Sequence, residues 1–401
     1  MDGVQKKDKL WSIDFIKAGL AQFLTACSFH ILIPILPLYL SEVLHIPHSK
    51  IGVVLSSYAL ALLFIRPFAG YIVDVFPRKM IYLIGLFAFV SVFAGYWVIT
   101  SIGLFIIFRF IHGITWGITS VSANTMAIDI IPSSRRAEGI GYFGVSMNIA
   151  MAIAPYFAIT IYNHPDFGFS SIVGVSVLFG ILAFIAVLTI RSPKITPEYG
   201  PQRKALKQPF SFDRFILVSA LPLLGNQILL TFGWGTLAAY AILYGQELGI
   251  ENSGYFFVFL AIGIMTSRVL SGKLVDKGYL HQIILLAMSL VAISFFCFAY
   301  FSTMWSFFLS ALGMGLSFGA LLPALQTLYV NMTTAERRGT ANATYLTGFD
   351  LGIGVGMLLG ARIADKYTFE TMYYIPVVLT LIAIVVYRFI SMPIYEKSKI
   401  S

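Results

Sequence analysis

Long apolar runs alternate with short polar segments along almost the whole chain. Each run is close to the length of a helix that spans a bilayer, which needs about 20 apolar residues. The runs lie near residues 13–40, 51–71, 80–100, 102–130, 139–162, 170–190, 214–243, 254–274, 280–300, 304–330, 340–363 and 370–392. This pattern predicts an all-α membrane protein with twelve transmembrane helices.

The composition also favours a bilayer as the solvent for most of the chain. Of the 401 residues, 58% are hydrophobic and 11% are charged, whereas a soluble domain has about 25% charged residues. These charges are too few to cover the apolar surface of a soluble enzyme of this size. A disordered tail and a nucleic-acid-binding protein are excluded for the same reason, so no nucleic-acid partner is expected.

The net charge of +9 is interpreted as a signal of membrane topology, because the basic residues lie mainly on one side of the predicted helices. Apart from Lys50, Arg109, Arg362 and Lys366, they lie at the two termini, in the segments after the second, fourth, sixth, eighth and tenth helices, or in the parts of the helices next to these regions. Cytoplasmic loops carry an excess of Lys and Arg, so both termini are expected in the cytoplasm. The first run is too long for a signal peptide and is interpreted as an uncleaved helix.

The two ends of the chain repeat each other. The longest hydrophilic segment, residues 191–213, is interpreted as a cytoplasmic linker between residues 1–190 and residues 214–401. At a fixed distance of 202 residues, Arg66, Gly70 and Asp74 recur as Arg268, Gly272 and Asp276, and Arg135 and Arg136 recur as Arg337 and Arg338. This repeat predicts two pseudo-symmetric six-helix bundles, an architecture found in many secondary transporters.

Two motifs of the N-terminal part resemble the major facilitator superfamily, and the resemblance extends over nearly the full chain. The segment from Gly70 to Lys79 is similar to the signature loop of that family, from which it departs at Val75 and Pro77. In the fourth helix, Arg109, Gly113 and Gly117 are similar to a motif common in proton-coupled members. The resemblance implies a gradient-driven transporter in the inner membrane of a bacterium or archaeon.

The sequence of the fifth helix bears on the direction of transport. Its spacing of small residues is similar to the antiporter motif of the family, with Ala where Gly is usual, at Gly141, Ala150, Ala154, Pro155 and Ala158. The resemblance therefore implies a drug:proton antiporter-like protein that exports small amphipathic molecules by alternating access. A proton symporter or uniporter that imports a nutrient, such as a sugar or an organic metabolite, stays open as the alternative.

The resemblance also implies a cytoplasmic gate. In the family, charges at the cytoplasmic ends of helices 2 to 4 form a network that latches this side while the outside is open. We assign this role to the matching positions of this sequence and to their repeat mates. The predicted gate residues are Gly70, Asp74, Arg78, Lys79, Asp129 and Asp276.

Proton coupling is assigned to Asp350, Arg109 and His30. Asp350 is the one carboxylate expected near the middle of a helix, and a buried, unpaired carboxylate tends to be neutral, as a proton carrier requires. A hydrogen-bonded packing role for Asp350 is the alternative. Arg109 either tunes that site, holds substrate, or only ties helix ends together. His30 can titrate near neutral pH or be a hydrogen-bonded core residue.

The substrate cavity is expected to hold few polar groups among many aromatic and Met side chains. Such a cavity suits amphipathic or weakly cationic molecules. Its candidate residues are Gln22, His112, Trp116, Asn124, Asn148, Asn226, Gln227, Trp234 and Gln326.

The remaining expectations concern other functional classes. The chain has two cysteines, no paired metal-ligand spacing and no phosphate-cradling loop, so no metal, cofactor or ATP is expected. The sequence shows no cluster of nucleophilic and basic side chains of the kind that would indicate an enzyme. The expected partners are a small-molecule substrate, protons and the lipid bilayer, and the protein is expected to be a monomer.

Overall fold

The computed structural model describes residues 9–45, 48–99, 101–162, 164–191, 212–250 and 253–400. Within these ranges the chain is helical and contains no strand. Most of the expected linker, residues 192–211, lies outside the described residues. The helices are α1 (Ile13–Leu38), α2 (His48–Val75), α3 (Arg78–Gly95), α4 (Ile102–Ile130), α5 (Arg136–Tyr162), α6 (Phe169–Leu188), α7 (Leu221–Glu247), α8 (Tyr255–Leu274), α9 (Leu280–Tyr300), α10 (Met304–Asn331), α11 (Arg338–Lys366), α12 (Phe369–Val386) and the short α13 (Met392–Ser398).

The predicted class of all-α membrane protein is confirmed. In the described part of the chain, nine stretches are long and apolar enough to cross a membrane, and one of them, Tyr255–Tyr300, covers both α8 and α9. Large apolar side chains such as Phe87, Leu286 and Phe389 are exposed on the helices, which a bilayer tolerates and water does not. The number of twelve spans stays a prediction.

The helix bounds follow the 202-residue repeat. Helix α4 begins after Ser101 and α10 begins after Thr303, and in each case the hydroxyl accepts a hydrogen bond from the backbone N–H three residues later. Such an N-cap satisfies one of the free N–H groups of the first turn. Helices α5 and α11 both follow a short 3-10 turn and begin at repeat-related arginines.

The chain forms two compact units that differ slightly from the two sequence repeats. Unit 1 comprises Met1–Pro132, Phe143–Phe215 and Ala335–Ala343, and unit 2 comprises Ser133–Tyr142, Ile216–Thr334 and Thr344–Ser401. Each unit therefore takes in a short segment from the other repeat, which includes the first turns of α11 in unit 1 and of α5 in unit 2. These two segments make the hydrogen bonds and ion pairs described in the next subsection.

In unit 1, α4 packs against α2 at two glycines. A Cβ atom at Gly113 would lie 2.4 Å from the backbone oxygen of Tyr58, and one at Gly117 would lie 2.3 Å from the Ile65 side chain. Small residues allow helices in membranes to approach closely. The glycines of the fourth-helix motif thus act in helix packing, and they hold Arg109 of α4 close to α2.

In unit 2, α10 packs against α8 through the repeat mates of those glycines. A Cβ atom at Gly315 would lie 2.2 Å from the Leu260 backbone oxygen, and one at Gly319 would lie 2.6 Å from that of Ile264. Leu260 is the repeat mate of Tyr58. The repeat predicted from the sequence therefore extends to individual interhelical contacts.

Candidate functional site

The carboxylate of Asp74, at the end of α2, caps the start of α11 in unit 1. Its oxygens accept hydrogen bonds from the backbone N–H of Gly339 (2.6 Å) and from the backbone N–H and hydroxyl of Thr340 (both 2.7 Å). Carboxylates are stabilised at a helix N-terminus, where N–H groups are free and the helix dipole is positive. We call Asp74, Gly339 and Thr340 the Asp74 clamp.

Gly70 permits the close approach that the Asp74 clamp requires. A Cβ atom at this position would lie 2.5 Å from the Ala343 Cβ and 2.9 Å from the Gly339 backbone oxygen. A larger residue would separate α2 from the first turn of α11. Gly70 and Asp74, both predicted as gate residues, therefore act at one junction.

A charged triad lies beside the Asp74 clamp. The Asp129 carboxylate, at the end of α4, is fully buried between Arg78 and Arg338, and Arg338 Nη1 lies 2.8 Å from Asp129 Oδ1. Arg78 bonds the other Asp129 oxygen and also donates to the backbone oxygen of Ala335. A buried ion pair needs such additional hydrogen bonds to offset its desolvation. Arg78 also lies 3.6 Å from Asp74, which joins the triad to the clamp.

Asp276 forms the corresponding clamp in unit 2. Its oxygens accept hydrogen bonds from the backbone N–H of Ala137 (3.0 Å) and Glu138 (2.9 Å) at the start of α5. We call Asp276, Ala137 and Glu138 the Asp276 clamp. Glu138 also bonds Arg135 in two places, and this hydrogen bonding raises the pKa of Arg135 above its ordinary value.

Lys79, predicted as a gate residue, makes its hydrogen bonds to a different part of unit 1. Its ammonium donates to the backbone oxygens of Leu188 (2.8 Å) and Ile190 (2.7 Å) at the end of α6. Cations are favourable at a helix C-terminus, because the last carbonyl groups are free. The structure thus gives Lys79 a helix-capping position, apart from Asp74 and Asp129.

Arg109 lies in an aromatic region inside unit 1. Its side chain is 5% exposed, and its guanidinium carbon is 4.7 Å from the ring centre of Tyr58. It interacts with Tyr96, whose hydroxyl lies 3.5 Å from His112 Nδ1. Among the described residues no ion pair involves Arg109, and neither Arg109 Nε nor His112 Nε2 has a hydrogen-bond partner. Arg109 is therefore a buried cation whose described partners are neutral aromatic side chains.

His30 has the environment of a hydrogen-bonded core residue. Its ring is buried, and Nδ1 lies 2.8 Å from the backbone oxygen of Ala26 in the same helix. The neighbouring Phe29 stacks on Trp116 at 4.4 Å between ring centres. His30 and Trp116 therefore belong to the packed interior of unit 1, and of the two alternatives stated for His30 the structure favours the core residue.

Asp350 lies in the middle of α11, as expected, and its side chain is half-buried. The expectation that its carboxylate is unpaired is not met, because Asp350 makes an interaction with its surroundings. Gly348 and Gly352 pack against Leu224 and Thr231 of α7. Since consecutive residues of a helix are about 100° apart, Asp350 faces away from this glycine surface.

The remaining cavity candidates fall into two groups. Asn226 and Gln227 are fully buried and donate to the backbone oxygens of Ala383 and Tyr345, which ties α7 to α12 and to α11. Asn124 donates to the Ser120 oxygen of its own helix. These three amides satisfy backbone groups. The second group consists of the remaining candidates, whose side chains are buried or half-buried: Gln22, Asn148, Trp234 and Gln326. The Trp234 ring packs on that of Phe318.

Several residues of these clusters are not among those predicted from the sequence. Tyr58 and Tyr96 are not among the predicted site residues, because nothing in their spacing distinguishes them from packing residues. Arg338 could have been found, because the repeat aligns it with Arg136 beside the clamps. Thr340 had no sequence signal, since its main contribution is a backbone N–H.

The family model of the Major Facilitator Superfamily matches residues 18–318 and 278–399. The chain belongs to the major facilitator superfamily. Two relatives from Staphylococcus aureus are the staphylopine export protein of strain Mu50 (26% identity, 86% of this chain and 88% of the relative) and the quinolone resistance protein NorA of strain COL (24% identity, 91% and 93%).

A solved structure extends the likeness to the fold. The human organic anion transporter MFSD10 matches with a TM-score of 0.74 at 16% identity, covering 93% of this chain and 98% of that protein. This structure shows the likeness in fold, and the family model confirms the resemblance found from the motifs.

Proposed function

We propose that this protein is a secondary active transporter that exports small amphipathic molecules by alternating access, driven by protons. The relatives that carry the proposal are named for export of staphylopine and for quinolone resistance, and they match this chain over most of their length. A driving force of this kind suffices for export, because the membrane potential supplies about 2.3 kcal/mol per charge per 100 mV.

The clamps support the alternating-access part of the proposal. Asp74 and Asp276 each hold the first turn of a helix from the other sequence repeat through backbone hydrogen bonds. These bonds join segments about 140 to 265 residues apart, and they can be broken without unfolding any helix. They therefore have the properties of a reversible latch on the basic side of the protein.

The basic side is assigned to the cytoplasm, with both termini there, on the positive-inside rule. The protein is assigned to the cell membrane as a monomer. A C-terminal epitope tag tests the orientation: protease should remove it in inside-out vesicles and leave it intact in right-side-out vesicles. Removal in the right-side-out preparation would reverse the assignment.

Asp350 is assigned the proton-carrying step, because it is an acidic side chain half-buried in the middle of a membrane helix. Such residues are costly in a bilayer and mark proton or substrate paths. We expect Asp350→Asn to abolish compound-driven collapse of a pH gradient in inside-out vesicles. Asp166→Asn is the matched control, because the Asp166 carboxylate is 85% exposed in a loop.

The panel of test compounds should contain amphipathic cations, organic anions, neutral drugs and metabolites. Gradient collapse by a compound, lost in Asp350→Asn and kept in Asp166→Asn, establishes proton-coupled export. An active Asp350→Asn protein that still moves protons removes Asp350 from this step. Metabolite counterflow without proton movement would replace the export proposal by import.

A further inference from the structure

Unit 1 contains a cavity of about 550 Å³ at the end of its helices remote from the basic loops. It lies between the end of α1, the segment after α3 and the segment that leads into α6. Its walls are mostly aromatic, and they include Tyr39, Tyr96, Trp97, Tyr162 and Phe169. Pockets of about 300–1,000 Å³ with a few polar groups are typical of small-molecule sites.

The walls of this cavity are fixed by contacts within unit 1. The Tyr39 ring stacks on that of Phe169 with 3.9 Å between centres and 10° between planes. The Trp97 indole N–H donates to the backbone oxygen of Ser170 at 3.0 Å. These two contacts hold three of the rings in place, so the cavity is preformed and a ligand loses little free energy in ordering its walls.

Tyr96 connects the cavity to the buried cation described above. Its ring lines the cavity, while its hydroxyl interacts with Arg109 and lies 3.5 Å from His112 Nδ1. Arg109 Nε and His112 Nε2 are both buried, and neither has a hydrogen-bond partner among the described residues. Tyr96 therefore lies between the cavity and two buried polar side chains, one of which carries a positive charge.

The charge behind Tyr96 decides which ligand suits the cavity. Aromatic walls alone would favour a cation, through its attraction to the ring faces. A cation bound at Tyr96 would lie beside the side chain that contacts the Arg109 guanidinium, and like charges repel. An anion at the Tyr96 hydroxyl would instead face a positive group that no described carboxylate neutralises.

We propose that this cavity is a binding site for small aromatic carboxylates. The rings of Tyr39, Trp97 and Phe169 hold the aromatic part, and the carboxylate accepts a hydrogen bond from the Tyr96 hydroxyl. Arg109 acts through Tyr96 as a positioning residue that sets the preference for negative charge. The site is distinct from the proton-carrying residue Asp350, and in the proposed orientation it lies at the outer end of unit 1.

Binding of three ligands that share one ring system tests this assignment. The full-length protein in lipid nanodiscs is titrated calorimetrically with 2-naphthoate, 2-naphthamide and 2-naphthylmethylammonium, and empty nanodiscs give the blank. We expect 2-naphthoate to bind at least about tenfold more tightly than the ammonium compound, which corresponds to about 1.4 kcal/mol. The neutral amide should lie between them.

Two variants test which residues set the preference for the negatively charged ligand. Tyr96→Phe keeps the ring and should weaken binding of 2-naphthoate about tenfold, with a smaller effect on the ammonium compound. Arg109→Gln should remove the difference between the two charged ligands. Arg362→Gln, near the end of α11 in unit 2, is the matched control and should leave all three affinities unchanged. Trp97→Ala should weaken all three ligands, because it removes part of the common wall.

Four results would overturn the proposal. These are equal affinity for all three ligands, tighter binding of the ammonium compound, an unchanged charge preference in both Tyr96→Phe and Arg109→Gln, and no heat above the blank. Binding needs neither a proton gradient nor flux, so the outcome is independent of the vesicle assay. Failure of the export proposal and failure of this site are therefore distinguishable.

Discussion

The Asp74 and Asp276 clamps share one backbone geometry but differ in the side chains that support them. In unit 1, Asp129 is buried between Arg78 and Arg338. In unit 2, the repeat mates of these residues are Asn331, Leu280 and Arg136. Arg136 Nη1 still donates to Asn331 at 2.8 Å, but the carboxylate and the second arginine are gone.

The C-terminal segment occupies the corresponding place in unit 2. Asn331 donates to the Tyr395 hydroxyl at 3.3 Å, and its backbone oxygen accepts from the N–H of Ile400 at 2.9 Å. His281 bonds both Tyr387 and Glu396 in the same region. The comparison shows that the duplication kept the clamp itself, while unit 1 supports it with charge and unit 2 supports it with the end of the chain.

The largest effect is expected where the charge is buried. Asp129→Asn leaves two arginines beside a neutral amide, and removal of one partner of a buried pair costs about 3–5 kcal/mol. We expect a clear fall in the thermal unfolding temperature of the purified protein. The reverse change, Asn331→Asp, is the matched variant and should shift this temperature much less, because it adds a carboxylate beside Arg136. Equal shifts in the two variants would show that the charged triad contributes nothing particular to unit 1.

A smaller effect is expected at the clamps. Asp74 accepts three hydrogen bonds and Asp276 accepts two, and a hydrogen bond to a charged group contributes about 1.5–3 kcal/mol. In an Asn side chain, the amide NH₂ cannot accept from the second backbone N–H. We therefore expect Asp74→Asn to reduce the transport rate about tenfold or more, and more than Asp276→Asn does.

Transport rates in vesicles with matched protein amounts measure this difference. Glu370→Gln, at an exposed position in the first turn of α12, controls for the loss of a carboxylate as such. A larger defect in Asp276→Asn would reverse the ranking, and unchanged rates in both variants would remove the clamps from the transport cycle.

The repeat made much of this comparison predictable from the sequence. Arg136 and Arg338, like Asp74 and Asp276, keep their residue types at a fixed offset, and from this repeat the two-part fold and two acidic clamp residues followed. The partners of the two aspartates did not follow, because they are mainly backbone N–H groups. Every residue except Pro carries such a group, so the sequence contains no signal for which one is used.

Isolated polar residues in apolar helices were the weakest part of the prediction. Asn226, Gln227 and His30 have the composition expected of a substrate cavity, yet each bonds a backbone oxygen within its own unit. A polar side chain in a membrane must find a partner, and the sequence does not distinguish a carbonyl group from a ligand. Arg109 differs because its guanidinium lies among aromatic rings with no described carboxylate.

The smallest effect is expected at the C-terminal segment. Tyr395→Phe removes the hydroxyl that accepts from Asn331, and a neutral hydrogen bond contributes about 0.5–1.5 kcal/mol. We expect a modest fall in unfolding temperature, together with faster hydrogen exchange at the start of α5 and no change at the start of α11. Tyr367→Phe, an exposed position, is the control. Faster exchange at both helix starts would contradict the conclusion that only the clamp of unit 2 depends on the end of the chain.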